Sequence, residues 1–148
     1  MPQQGEPVNT IGKQFSLLIK PASADCNLSC KYCFYYQRPT DPYNFRERHR
    51  MSDDVLKAMV SQYLGLAGKY TSFGWQGGEP LLMGVSFFRK VVEFQQMYGY
   101  SGQFVGNNVQ TNTTMITPNL ARLFHDYNFL LVVSLDGPEE YPDRYRRY

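Results

Sequence analysis

A fourth cysteine is missing from this sequence. The chain of 148 residues has three, Cys26, Cys30 and Cys33, all inside the stretch ADCNLSCKYCFYY. An odd count argues against a closed disulfide framework. Long apolar runs are missing too, and no stretch approaches the roughly 18 residues of a membrane span. Charge of one sign is scarce: the net formal charge is +2, too little to argue for nucleic acid or an anionic membrane as partner. The opening residues, MPQQGEPVNTIGKQ, have neither the basic nor the apolar region of a signal peptide. A reducing, cytoplasmic setting is therefore expected, in which thiols stay available to a metal. No low-complexity segment or sequence repeat is present. What remains is 43% hydrophobic and 16% aromatic, enough for one domain with a real core.

Residues 1–14 read as a loose polar leader. FSLLIK, from Phe15 to Lys20, reads as a short buried strand ended by Pro21. The cysteine loop follows, then a polar connector, YQRPTDPYNFRERHR, expected to be solvated. Ser52 is a good helix N-cap, with Asp53 and Asp54 in the first turn. Val55, Met59 and Tyr63, with Leu56, Val60 and Leu64, form an apolar stripe at helical spacing. TSFGWQ is the next strand. Phe87, Phe88, Val91, Val92, Phe94 and Met97 mark a helix closed by Gly99. QFVGNNVQ is a poorer strand, weakened by Gly106 and its asparagines. Thr117-Pro118 opens a third helix, with Leu120, Leu123, Phe124 and Tyr127 on one face. FLLVVSLD, Phe129 to Asp136, has the strongest pattern of a buried strand. This alternation predicts an α/β fold with a parallel sheet built from right-handed crossovers.

The chemically distinctive residues fall together in this scheme. The cysteines follow the first strand, WQGGEP (Trp75 to Pro80) closes the second, QTN (Gln110 to Asn112) the third and SLDGP (Ser134 to Pro138) the fourth. Each has a plain structural reading as a turn or a strand cap. Their shared position at strand C-termini is where parallel α/β sheets place active sites. Soft thiolates select zinc, copper(I) or iron–sulfur clusters. A 4Fe–4S cube usually takes four cysteines; three would leave one iron open to an outside ligand. The rival is zinc held as Cys3His, with His49 or His125 as fourth ligand.

C-x3-C-x2-C followed by Phe34 resembles the signature of the radical S-adenosylmethionine (SAM) enzymes. The resemblance implies that SAM itself fills the open position on the cluster held by Cys26, Cys30 and Cys33. It implies a partial (β/α) barrel in which Gly78 and Glu79 of the GGEP motif receive the SAM amino group. Ser134 resembles a SAM contact from the fourth strand, Tyr32 a position whose backbone touches the adenine, and Arg146 a SAM-contacting arginine beside Arg144 and Arg147. A narrower resemblance covers residues 15–148. IKPASADCNLSCKYCFYY, WQGGEPLLMG, QTN and SLDGP are similar to the anaerobic sulfatase-maturating enzymes. These oxidise a cysteine or serine of a sulfatase to formylglycine, with electrons expected from a flavodoxin or ferredoxin. In that pattern Tyr35 and Gln76 face the peptide or the cofactor.

Two departures stand out. Pro142 precedes Asp143 where the family has histidine. The four strands counted also fall short of six, which implies the N-terminal portion of such a core. The C-terminal barrel half and auxiliary-cluster domain would be absent, and the catalytic base would lie beyond Tyr148. The alternatives are another peptide-modifying radical SAM maturase, or a non-catalytic zinc- or cluster-binding fragment.

Overall fold

Four strands pair in sequential order, β1-β2-β3-β4, and every pairing is parallel. They are β1 (Leu17–Ile19), β2 (Tyr70–Trp75), β3 (Phe104–Thr111) and β4 (Leu130–Val133), joined through α1 (Asp53–Leu66), α2 (Gly84–Tyr98) and α3 (Pro118–Asp126). The structure is a computed structural model and describes residues 14–35, 48–135, 137 and 146. The expected leader falls almost wholly outside these residues. So do most of the connector, Arg144, Arg147 and the Pro142-Asp143 departure.

Helix starts follow local chemistry. The Ser52 side chain accepts a hydrogen bond from the Val55 amide at 3.3 Å, and Thr117 accepts one from Leu120 at 3.3 Å, which satisfies amides that have no partner inside the helix. α1 buries Leu56, Val60, Tyr63 and Leu64. α2 buries Phe87, Phe88, Val91 and Val92, and α3 buries Leu120, Leu123 and Phe124. Each predicted stripe is slightly too wide: Val55 and Met97 are exposed, and so is Tyr127 just past α3.

The core is aromatic. Trp75 stacks on Phe73 and takes Phe87 and Phe88 edge-on, while Phe88 meets Phe124 at 5.1 Å edge-to-face. The Tyr63 hydroxyl donates to the Phe15 carbonyl at 2.6 Å and accepts from the Ser72 amide at 3.2 Å, so α1 is tied to β2 and to the segment that leads into β1.

One expectation about strands is corrected. QFVGNNVQ, weak by propensity, is the longest strand at 8 residues and lies inside the sheet. Its Asn107 is buried because Gln95 pairs with it amide to amide (2.9 and 3.0 Å) and the Trp75 indole donates to it at 2.9 Å. FLLVVSLD supplies β4 over Leu130–Val133, where Leu131 packs against the core.

Candidate functional site

The loop after β1 reaches the C-terminal ends of its neighbours by backbone hydrogen bonds. The Gly78 amide donates to the Ser23 carbonyl at 2.8 Å and the Glu79 amide to the Asp25 carbonyl at 2.7 Å. Such close approach demands glycine. A Cβ on Gly77, which has φ of +110°, would come within 2.7 Å of the Ser23 carbonyl oxygen, and one on Gly78 would overlap the Asp25 carbonyl. The predicted GG pair is thus the surface on which the segment leading into Cys26 lies.

A cleft of about 210 Å³ opens here. Cys26, Cys30 and Cys33 line it together with Tyr32, Tyr35, Gln76, Gly78, Ser134 and Arg146. Of the residues singled out from sequence, Glu79 does not line the cleft. Arg146 arrives from far along the chain, and its Nε donates to the Tyr32 hydroxyl at 3.1 Å. Ser134 is held by its amide, which donates to the Thr111 carbonyl at 3.0 Å. Lys20 sits over the Tyr35 ring at 5.1 Å.

Glu79 behaves differently from the expectation that its carboxylate faces the cofactor. It is 1% exposed. One carboxyl oxygen accepts from the Leu81 amide (2.9 Å) and the Thr111 hydroxyl (2.8 Å); the other accepts from the Asn112 amide (2.8 Å). A carboxyl group this deep needs such donors, and they bind it to the end of β3.

Three side chains of the site carried no predicted role. Asp25 accepts from the His49 amide at 2.9 Å and from Arg50 at 2.5 Å. Its partial burial opposes ionisation, but the Arg50 and His49 hydrogen bonds outweigh this and hold its carboxyl below the ordinary range. Asn27 and Asn112 hydrogen-bond across the cleft wall at 3.1 Å. Asn112 stood inside the QTN motif; nothing local distinguished the other two.

None of the cysteines is in a disulfide. Crowding around the Cys26 thiol pushes its pKa up, the Leu28 amide opposes this, and Glu79 and the other two cysteines add to it. Among the described residues, no three His, Cys, Asp or Glu side chains converge as a ready site for one ion. The Cys3His zinc alternative is not assembled: neither histidine lines the cleft. His49 lies against Asp25, and His125 is exposed beside Asp126 at the end of α3. Three thiols on one cleft wall suit a larger soft group, which spaces its sulfur ligands more widely than a single ion does.

Comparison with known proteins agrees with this donor set. The sequence profile described as the Radical SAM superfamily matches residues 21–148. The chain belongs to the radical SAM superfamily. That membership implies a 4Fe–4S cluster and SAM as cofactors, and the three sulfur donors fit the cluster. This radical SAM chain is similar to the cysteine-type anaerobic sulfatase-maturating enzyme of Clostridium perfringens, at 44% identity over 84% of this chain and 34% of that enzyme. It is similar to the serine-type enzyme of Bacteroides thetaiotaomicron at 36% identity, over 91% of this chain and 32% of that one. Among solved structures, native anSMEcpe with bound AdoMet superposes with a TM-score of 0.81 at 42% identity, over 89% of this chain and 36% of that chain. The same protein with AdoMet and the Cp18Cys peptide gives 0.78 at 41% identity, over 88% and 34%. The parallel α/β sheet expected from the residues is therefore that of the radical SAM fold, and this chain spans about a third of the length of these relatives. Among the described residues, no helix is long and apolar enough to cross a membrane.

Proposed function

We propose that this chain is the cluster- and SAM-binding portion of an enzyme that oxidises a cysteine or serine of a sulfatase to formylglycine. Residues 15–148 would form the N-terminal portion of its radical SAM core. The observation that carries this reading is the gathering of Cys26, Cys30 and Cys33 with Gly78, Ser134, Arg146, Tyr35 and Gln76 around one cleft, in a chain similar to both cysteine- and serine-type maturating enzymes.

When bound, the cluster and SAM would supply one-electron chemistry that starts hydrogen abstraction from the substrate. The chain's own residues hold and orient. The cysteine thiolates ligate iron. Backbone at Gly77 and Gly78 offers the cofactor's amine a wall without side chains, and Glu79 supports that wall from inside. Arg146 brings a cation to the cleft for a carboxylate, Ser134 a hydroxyl, and Tyr32 its backbone beside the adenine. Tyr35 and Gln76, on the same cleft, face the peptide. Electrons come from a flavodoxin or ferredoxin.

The test is anaerobic reconstitution with iron and sulfide, followed by the EPR spectrum of the reduced chain with and without SAM. A 4Fe–4S signal that changes on adding SAM is expected, and Cys30→Ala should abolish the cluster and SAM cleavage together. A cluster indifferent to SAM, or a chain that prefers zinc, would overturn the reading. Sulfatase-motif peptides, compared with peptides lacking that motif, separate sulfatase maturation from other peptide modifications.

A further inference from the structure

The QTN motif at the end of β3 is left without a role by the cofactor contacts above. Its last residue, Asn112, points at the cysteine loop. The Asn112 Nδ2 donates to the Asn27 Oδ1 at 3.1 Å and lies 3.7 Å from the Cys26 Sγ, within hydrogen-bonding reach of sulfur. Cys26 also receives the Leu28 amide at 3.4 Å.

The orientation of the Asn112 amide is decided by its partners. Its Oδ1 accepts from the Thr114 backbone amide at 3.0 Å. A backbone N–H can only donate, so an oxygen must stand there. The Thr114 hydroxyl donates to the same oxygen at 2.7 Å and accepts from the Asn27 Nδ2 at 2.8 Å. Each donor and acceptor in this ring has one consistent sense, and it leaves the NH2 group of Asn112 facing Cys26. The backbone is fixed as well, because the Asn112 amide donates to buried Glu79 at 2.8 Å.

We propose that Asn112 is a fixed hydrogen-bond donor to the Cys26 sulfur, and that it raises the reduction potential of the cluster which Cys26 holds. The inference rests on the reading of Cys26 as a cluster ligand. Reduction adds negative charge that spreads onto the thiolate sulfurs. An N–H aimed at one of them stabilises the reduced state more than the oxidised one. Asn112 is thus a positioning and tuning residue that acts through a ligand without touching the substrate. It also links the GGEP motif to the cluster, since Glu79 holds the strand end from which Asn112 reaches out.

The experiment is an EPR-monitored redox titration of the reconstituted 148-residue chain and its variants, with iron and sulfide content measured alongside. Asn112→Asp keeps an oxygen for Thr114 and replaces the donor facing sulfur by an acceptor. It should shift the midpoint potential to more negative values while loading the parent's iron content. Thr114→Val loosens the ring without removing the donor and should give a smaller shift of the same sign. Because a variant that fails to load has no potential to read, Asn112→Ala provides a third, uncharged version and should also shift negative. Loaded variants that keep the parent's potential would overturn the inference and leave the ligand assignment standing. A parent chain that takes up no iron would overturn both.

Discussion

Both ends of this sheet carry hydrogen bonds, such as the Phe104 amide to the Lys69 carbonyl at 2.7 Å, but they differ in what is added to them. At the N-terminal ends of β2 and β3, Tyr70 and Phe104 stack at 5.3 Å, both 58% exposed, with the Lys69 ammonium over the two rings at 5.7 and 5.4 Å. These contacts are broad and tolerant of small shifts. At the C-terminal ends the links are directional: Gly78 on Ser23, Glu79 on β3, Asp25 on Arg50 and Asn112 on Asn27. Movement by a fraction of an ångström breaks such bonds. At the end that must keep three sulfurs and a cofactor in register, hydrogen bonds tie the loops to one another and to β3.

Substitutions test that contrast. The largest effect is expected at Gly78. Alanine there places a methyl group against the Asp25 carbonyl and within 2.6 Å of the Ala24 carbonyl carbon. Both are backbone atoms, so the cysteine loop must lift away. Gly78→Ala should cost more than about 3 kcal/mol and abolish cluster loading, measured by thermal melting and iron content. A normal melt with a full cluster would show that the loop does not need this seat.

Glu79→Gln comes next. Its amide must turn an N–H toward the Leu81 amide and Thr111 hydroxyl or toward the Asn112 amide, all of which donate in the native arrangement. An unmet buried donor costs about 1–3 kcal/mol, and denaturant unfolding should show a loss in that range. Weaker SAM binding with unchanged stability would instead mean that the carboxylate acts on the cofactor directly.

Asp25→Asn weakens the charge-assisted bond to Arg50 but keeps an oxygen for the His49 amide. About 1 kcal/mol is expected, with the cysteine loop becoming easier to cleave by protease. The smallest effect belongs to the opposite end of the sheet. Phe104→Ala removes one exposed ring from the Tyr70 stack and should cost about 1 kcal/mol or less with no change in iron content. Lost iron in that variant would erase the distinction between the two ends.

Much of the site was legible because its signals are local. The cysteine spacing, the glycine pair and the helix caps at Ser52 and Thr117 each lie within a few residues and depend on short-range geometry. The strand–helix alternation then brought four motifs to one end of the sheet before any contact was known. What was not legible depends on neighbours distant in sequence. Cys26 and Asn112 are 86 residues apart, and Asp25 and Arg50 are 25 apart. No periodicity predicts such pairs.

The same division runs through the fold. By itself the sequence determined the soft-metal loop, the order of elements and the faces of the helices, because capping, spacing and hydrophobic periodicity act within one or two turns of chain. Only the tertiary structure decided that the asparagine-bearing QFVGNNVQ lies inside the sheet, with Asn107 matched by Gln95 and Trp75, and that Glu79 turns inward to hold β3. Burial and hydrogen-bond satisfaction belong to a pair of segments, and a segment's own composition does not say which partner it will meet.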